Sequence, residues 1–460
     1  MPEPTVAPGF PLRLSSFSPY RNHRQLYFLE HGSPIRSILC RGLLASHCPS
    51  FRPEVFTQQH TRRFVHVGRH PPPSSNHGII VVISISATFP HAAVVPYHIL
   101  AAHRQRADGL CHERDLGVRS EQSRRSRLHP RRPRLHPGCA ALKKLDQELS
   151  QARRLLSDLK SSSSKSDAGA TAKDILPLGV GFVAYAASVS HFAETTVPIL
   201  ASYRPAAVWL FAPAPDQPGT IGDMVRALRE SSSSEDWSAQ VKVVVQVGSV
   251  AAAREAVAAG ADIIVAQGVD AGGHQWARGA SVVSLVPEIA DMVAEQTGSS
   301  SGGREVAVWA AGGLAEGRGV AASLVLGAEG AVLGTKFMVA AESDAQEFKK
   351  QAILSTSDGG MNTVKSQLHD HVQGNMSWPD LYDGRAVVHP CYQDHEAGVS
   401  LDENAAKFKS AKDAGDTSKM VTWSGTGVGL IKESLPAAEM VKQLRDSAIN
   451  ILQGVSKAKL

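Results

Sequence analysis

Between residues 176 and 333, short apolar runs alternate with Ala-rich stretches of helical periodicity, and that rhythm leaves few folds open. The pattern predicts strands near Leu178 to Ala184, Ala207 to Phe211, Lys242 to Val247, Asp262 to Ala266, Val306 to Ala311 and Ala331 to Leu333. Helices are predicted between them, near Ser188 to Tyr203, Ile221 to Glu230, Val250 to Ala259, Val282 to Gln296 and Gly317 to Leu326. Each strand is short and almost continuously apolar, as a strand must be when both faces of a parallel sheet are covered by helices. Six such units fall two short of the eight that close a (β/α)8 barrel of the TIM type. The missing pair should precede Leu178, so the expected α/β barrel is incomplete at its N-terminal strands.

The preceding chain has a different character. Residues 1 to 137 hold 19 Arg, no Lys, 7 acidic residues and 13 of the 19 histidines, a net charge of +12. A folded surface normally shares its solvated positions between Lys and Glu, and neither helical nor alternating periodicity persists here. The segment is read as an irregular extension, and three origins compete: a transit peptide or basic tail, a disordered extension, or sequence translated out of frame, which composition favours. The rest of the chain carries 29 basic and 36 acidic residues, so the basic balance belongs to the extension alone. Its run SRRSRLHPRRPRLHPG lacks the interleaved aromatics that stack on bases, so no nucleic-acid partner is expected. No apolar run reaches the 18 or so residues that span a bilayer. Five cysteines without CxxC spacing imply neither a disulfide framework nor zinc, and a reducing compartment is the default. The expected location is the cytoplasm, or the mitochondrion if the Arg-rich start is a presequence.

Residues 138 to 460 form the predicted barrel with a C-terminal helical segment. An amphipathic helix opens it, with Leu142, Leu145, Leu149, Leu155, Leu156 and Leu159 near helical spacing. The polar stretches SSSSKSDAGATAK and Ser231 to Ser234 read as surface loops.

Three loops at predicted strand ends place glycine beside polar residues, on the face where barrels of this kind build active sites. IIVAQGVDAGGHQ ends a buried strand at Gln267 and then sets Gly272 and Gly273 before His274. VWAAGGLAEGRG places Gly312 and Gly313 between strand and helix, and GAVLGTKF does the same with Gly334 and Thr335. Two successive glycine turns late in such a barrel suit a phosphate held by main-chain N–H groups. An imidazole titrates near neutrality, so His274 beside these turns is a candidate general base. His369-x-His371 hints at metal, but nothing nearby completes a ligand set, and no metal site is expected.

In order and spacing, AQGVDAGGH followed by AAGGLAEGRGVAASLVLGAEGAVLGTKF resembles the nitronate monooxygenase family, also called 2-nitropropane dioxygenase. The likeness runs back to LPLGVGFV and forward through WPDLYDGRA to WSGTGVGLI, covering roughly 250 residues, the size of such a barrel. It implies bound FMN, with phosphate on the main chain of Gly313, Gly334 and Thr335 and the flavin lined by Gln267 and Gly272. It further implies oxidation of alkyl nitronates or nitroalkanes by O2 to carbonyl compounds and nitrite, with His274 as base. The family's opening Pro-Met strand and Asn-containing loop have no counterpart in residues 1 to 137, and Gln275 stands where relatives carry Arg or Gly. Ser424 to Gly429 either closes over the flavin or is a tight loop before the last helix. The competing readings are an FMN-dependent enoyl-thioester reductase and a truncated, non-catalytic barrel.

Overall fold

Alternate residues along the central strands divide into two apolar layers, and that division defines the architecture. The computed structural model describes residues 80–84, 96–97, 140–163, 174–231, 235–297, 305–457. These belong to the compact unit Gln59–Leu460. Of the extension at residues 1 to 137, all but two short strands lies outside the described residues.

In chain order the strands are β1 (Ile80–Ser84), β2 (Pro96–Tyr97), β3 (Leu176–Val183), β4 (Pro205–Phe211), β5 (Lys242–Val247), β6 (Ile263–Gln267), β7 (Gly273–Trp276), β8 (Ala307–Ala311), β9 (Gly330–Leu333), β10 (Thr363–Ser366) and β11 (Tyr382–Val387). Six of them, β3, β4, β5, β6, β8 and β9, are parallel neighbours in that order. They match the six predicted strands to within two residues. β1 continues the sheet beyond β9 but runs antiparallel to it, and β2 pairs antiparallel with β1. The hydrogen-bonded sheet thus ends at β2 on one side and β3 on the other, an α/β barrel left incomplete where the sequence lacked its first units.

Ala207, Trp209, Val244, Ile263, Val265, Ala307, Trp309, Ala311 and Val332 fill the interior as one cluster. The residues between them, such as Val208, Leu210, Ile264, Val308 and Leu333, face outward into the larger core shared with the helices. Trp209 and Trp309 meet with centroids 6.5 Å apart, and the Trp209 indole N–H donates to Gln246 Oε1 at 3.0 Å. The centre is therefore plugged by side chains, and space for a ligand remains only toward the strand ends.

The outer layer holds α1 (Ala140–Ser163), α2 (Val197–Tyr203), α3 (Thr220–Arg229), α4 (Val250–Ala259), α5 (Val282–Thr297) and α6 (Gly317–Val325). Helix α4 starts as its sequence dictates, with Ser249 Oγ accepting the Ala252 N–H. In α1, Leu145 and Leu149 are buried as the leucine spacing predicts, while Leu155 is exposed. The single helix predicted from Ser188 to Tyr203 is instead a 3-10 turn, a π turn and α2. Pro198 explains the break: without an N–H, and with its ring against the preceding turn, it fits only the first turn of a helix. Ser231 is buried, although its serine run read as surface. Among the described residues, no helix is long and apolar enough to cross a membrane.

Beyond β9 the chain builds what periodicity did not reveal. After α7 (Thr335–Met338), β10 and β11 flank α8 (Leu368–Val372) and join the earlier β7 in a three-stranded antiparallel sheet, β10-β11-β7, before α9 (Leu401–Asp413) and the C-terminal α10 (Ala437–Lys457). This sheet pairs His274 with Gly384 and Trp276 with Tyr382. The Tyr382 hydroxyl donates to Pro213 O at 2.9 Å, fastening the chain just past β4, where Ala212 holds a left-handed φ of 57°. Such a conformation is costly for a residue with a Cβ and persists only when its surroundings enforce it. Tyr382→Phe is expected to lower stability by about 1–2 kcal/mol through loss of that buried bond. A shift in the urea midpoint at unchanged slope would measure it; no shift would mean the corner holds itself.

Candidate active site

Three glycine-bearing segments meet main chain to main chain beside the cavity: the loops after β6 and β8 and residues 424–427. Gly312 and Gly313, directly after β8, have φ of 111° and 72°, values that L side chains rarely adopt. A Cβ on Gly312 would lie 2.6 Å from Gly268 O, and one on Gly313 2.8 Å from Asp270 Cβ. The segment from Ser424 to Gly429 closes on both. Thr426 N–H donates to Asp270 O at 3.0 Å, Thr426 Oγ1 donates to Asp270 Oδ1 at 3.1 Å, and a Cβ on Gly425 would stand 2.6 Å from Asp270 O. Gly425 N–H also donates to Thr335 Oγ1 at 3.0 Å.

These turns rim a cavity of about 280 Å³. Gln267, Gly272, His274, Gly312, Gly313, Gly334 and Thr335 all line it, so the structure gathers residues that the sequence spreads over 69 positions. Gly273 does not line it; with φ of 71° it makes the turn into β7. Gly425 and Gly427 complete the rim, which resolves the WSGTGVGLI segment as part of the cavity wall. Apolar surface comes from Phe211, Leu314, Val332 and Trp378. Gly334 differs from the packed glycines, because a Cβ there would meet nothing within 4 Å. Gln267 Nε2 donates to His274 O at 3.2 Å, leaving its buried Oε1 with no partner among the described residues. Gln275 is not a lining residue: its Nε2 donates to Ala271 O at 2.6 Å and braces the turn from within.

His274 reaches the cavity on β7, a strand ordered by its pairing with β11. Its Nε2 lies 2.7 Å from Asp370 Oδ2, with side chains only 11% and 7% exposed. The Trp378 indole stacks on the imidazole at 3.8 Å between centroids and 8° between planes, and Trp423 packs at 4.9 Å, tilted by 54°. Sequence reasoning found none of these three partners. Trp378 stood within the quoted WPDLYDGRA, and Asp370 stood between the two histidines considered for metal.

A sequence model of the nitronate monooxygenase family matches residues 227–446. The nitronate monooxygenase of Neurospora crassa is 47% identical over 324 residues, covering 68% of this chain and 79% of that protein. Nitronate monooxygenase npaC of Metarhizium robertsii is 34% identical over 295 residues, 62% of this chain and 77% of that one. Of solved structures, a nitroalkane oxidase from Streptomyces ansochromogenes gives a TM-score of 0.46 at 21% identity, covering 67% of this chain and 87% of its own.

Behind the site, His369 and His389 form a buried pair. His369 Nε2 donates to Val364 O at 3.0 Å, so its Nδ1 accepts the His389 Nε2–H at 3.0 Å. His371 instead lies 3.9 Å from the exposed Asp402, and no group of three metal-ligating side chains exists among the described residues. Burial pushes His369 below its ordinary value, and burial with the neighbouring imidazole pushes His389 down to about 3. An imidazole depressed in the folded state leaves the unfolded chain binding more protons between the two values, so its contribution to stability falls as pH drops from about 6.5 towards 3. Replacing the pair by His389→Phe is expected to flatten the pH dependence of the unfolding free energy across that window. An undiminished slope in titrated denaturant melts would show that the pair does not drive it.

Proposed function

Because the chain belongs to the nitronate monooxygenase family, we propose that it oxidises alkyl nitronates, and the nitroalkanes that are their conjugate acids, with O2 and bound FMN, giving carbonyl compounds and nitrite. The observation that carries this reading is one cavity shared by the His274 imidazole and the glycine turns at Gly312, Gly313 and Gly334.

The residues fit FMN chemically. Main-chain N–H groups around Gly313, Gly334 and Thr335 offer donors for a phosphate, and Gly334 leaves open the space that a side chain would fill. Gln267 Oε1, buried and lacking a partner among the described residues, is an acceptor for a ligand N–H. Gly272 brings bare main chain to the same wall. When bound, FMN supplies the redox capacity that no protein side chain here provides.

The protein's own part is proton handling and containment. His274 takes the proton from the carbon beside the nitro group, and the bonding pair stays with the substrate as the nitronate. The imidazolium then balances the anion it has helped to form. Phe211, Leu314 and Trp378 offer an apolar wall to the alkyl chain.

Two substitutions separate chemistry from cofactor binding. His274→Asn is expected to retain a yellow flavin spectrum while kcat/KM for a neutral nitroalkane falls about a hundredfold or more. Full turnover by this variant would remove His274 from the mechanism. Gly334→Ala is expected to leave the melting temperature nearly unchanged, since its Cβ meets nothing, yet to raise the FMN Kd about tenfold or more by filling the phosphate space, a loss of roughly 1.4 kcal/mol. Fluorescence titration with FMN reads this directly, and an unaltered Kd would move the phosphate elsewhere.

A further inference from the structure

His274 is clamped on more sides than a general base needs merely to reach a substrate. Trp378 covers one face of the ring nearly in parallel, and Trp423 leans against it from another element. Asp370 takes the remaining degree of freedom. Its Oδ2 stands 2.7 Å from Nε2, while its Oδ1 accepts from Asn375 Nδ2 at 3.3 Å, so the carboxylate itself is held in orientation. A carboxylate oxygen has no proton to give, so the neutral imidazole facing it carries its proton on Nε2. Nδ1, which hydrogen-bonds to no described residue, is left as the lone-pair nitrogen on a side chain that lines the cavity.

We propose that Asp370 is the positioning residue for proton abstraction, holding His274 as the Nε2–H tautomer so that Nδ1 receives the substrate proton. In that step the C–H bond beside the nitro group breaks, its electron pair remains on the substrate as the nitronate, and the proton forms the Nδ1–H bond. The resulting imidazolium keeps its Nε2–H on Asp370, which offsets the new charge without taking up a proton itself. The inference rests on the assignment of His274 as base.

A structural alternative is also present, because Asp370 O accepts from Gln373 N–H and Asn375 N–H and closes the turn after α8. The main chain performs that role, so Asp370→Asn leaves it intact while the amide no longer dictates which imidazole nitrogen carries the proton. The pre-formed nitronate needs no proton removed, and it separates the two roles.

The experiment uses the full chain with FMN and compares Asp370→Asn and His274→Asn on nitroethane and on pre-formed ethyl nitronate, at matched flavin content. Asp370→Asn is expected to reduce kcat/KM about a hundredfold or more on nitroethane and less than about tenfold on the nitronate. An equal loss on both substrates, or no loss on nitroethane, overturns the proposal. A second measurement needs no folded Asp370 variant. In the ¹⁵N-histidine-labelled native protein, the resonances that vanish in His274→Asn should report an Nε2-protonated ring; an Nδ1-protonated ring overturns the proposal. If His274→Asn itself turns over nitroethane normally, the assignment of the base fails. If only Asp370→Asn does so, that assignment stands and this inference alone fails.

Discussion

Main chain packed against main chain at Gly272, Gly312, Gly425 and Gly427 is the constraint on which the cavity depends. The loop after β6 can lie on the loop after β8, and residues 424–427 can lie on both, only because no Cβ stands between them. Forcing extra atoms into such a contact costs about 1–3 kcal/mol when neighbours must shift. Here those neighbours are carbonyl and amide groups, which cannot rotate out of the way as side chains do. The same exclusion of side chains leaves backbone donors and acceptors facing the cavity, so close packing and ligand capacity have one origin.

The barrel beneath sets the depth of that cavity. Inward residues fill its middle with two indoles and branched side chains, and Gln246, tied to Trp209, stands at the boundary between apolar filling and polar rim. A second, smaller sheet then aims the chemistry. Among the described residues β7 pairs with β11 alone, and the pairing of His274 with Gly384 fixes which way the imidazole projects. Glycine at position 384 lets Trp423 approach that pair, since a Cβ there would collide with the indole ring. The imidazole is thus oriented by a sheet, two indoles and a carboxylate drawn from three later stretches of chain.

What the sequence disclosed follows the range of the physics involved. The six parallel strands were legible because burial on both faces writes a continuous apolar run that no neighbouring segment can disguise. The glycine turns and His274 were legible because each loop sets its glycines within a few positions of a strand end. Asp370 was not: it is 96 residues from its partner, and only folding reveals that the aspartate, rather than the histidines flanking it, faces the site. β7 was missed because GHQW shows no alternation, its strand character arising from a partner more than a hundred residues later. The break in the helix before Tyr203 was written in Pro198, a residue that fits only the first turn of a helix.

Neighbouring residues on α8 meet two different imidazoles. His369 turns into an apolar pocket beside His389, where desolvation keeps both rings neutral and their hydrogen bonds are spent on each other and on Val364 O. Asp370, one residue on, meets the ring that opens on the cavity. One turn of helix thus sets His369 in a desolvated pair with His389 and Asp370 against the His274 imidazole.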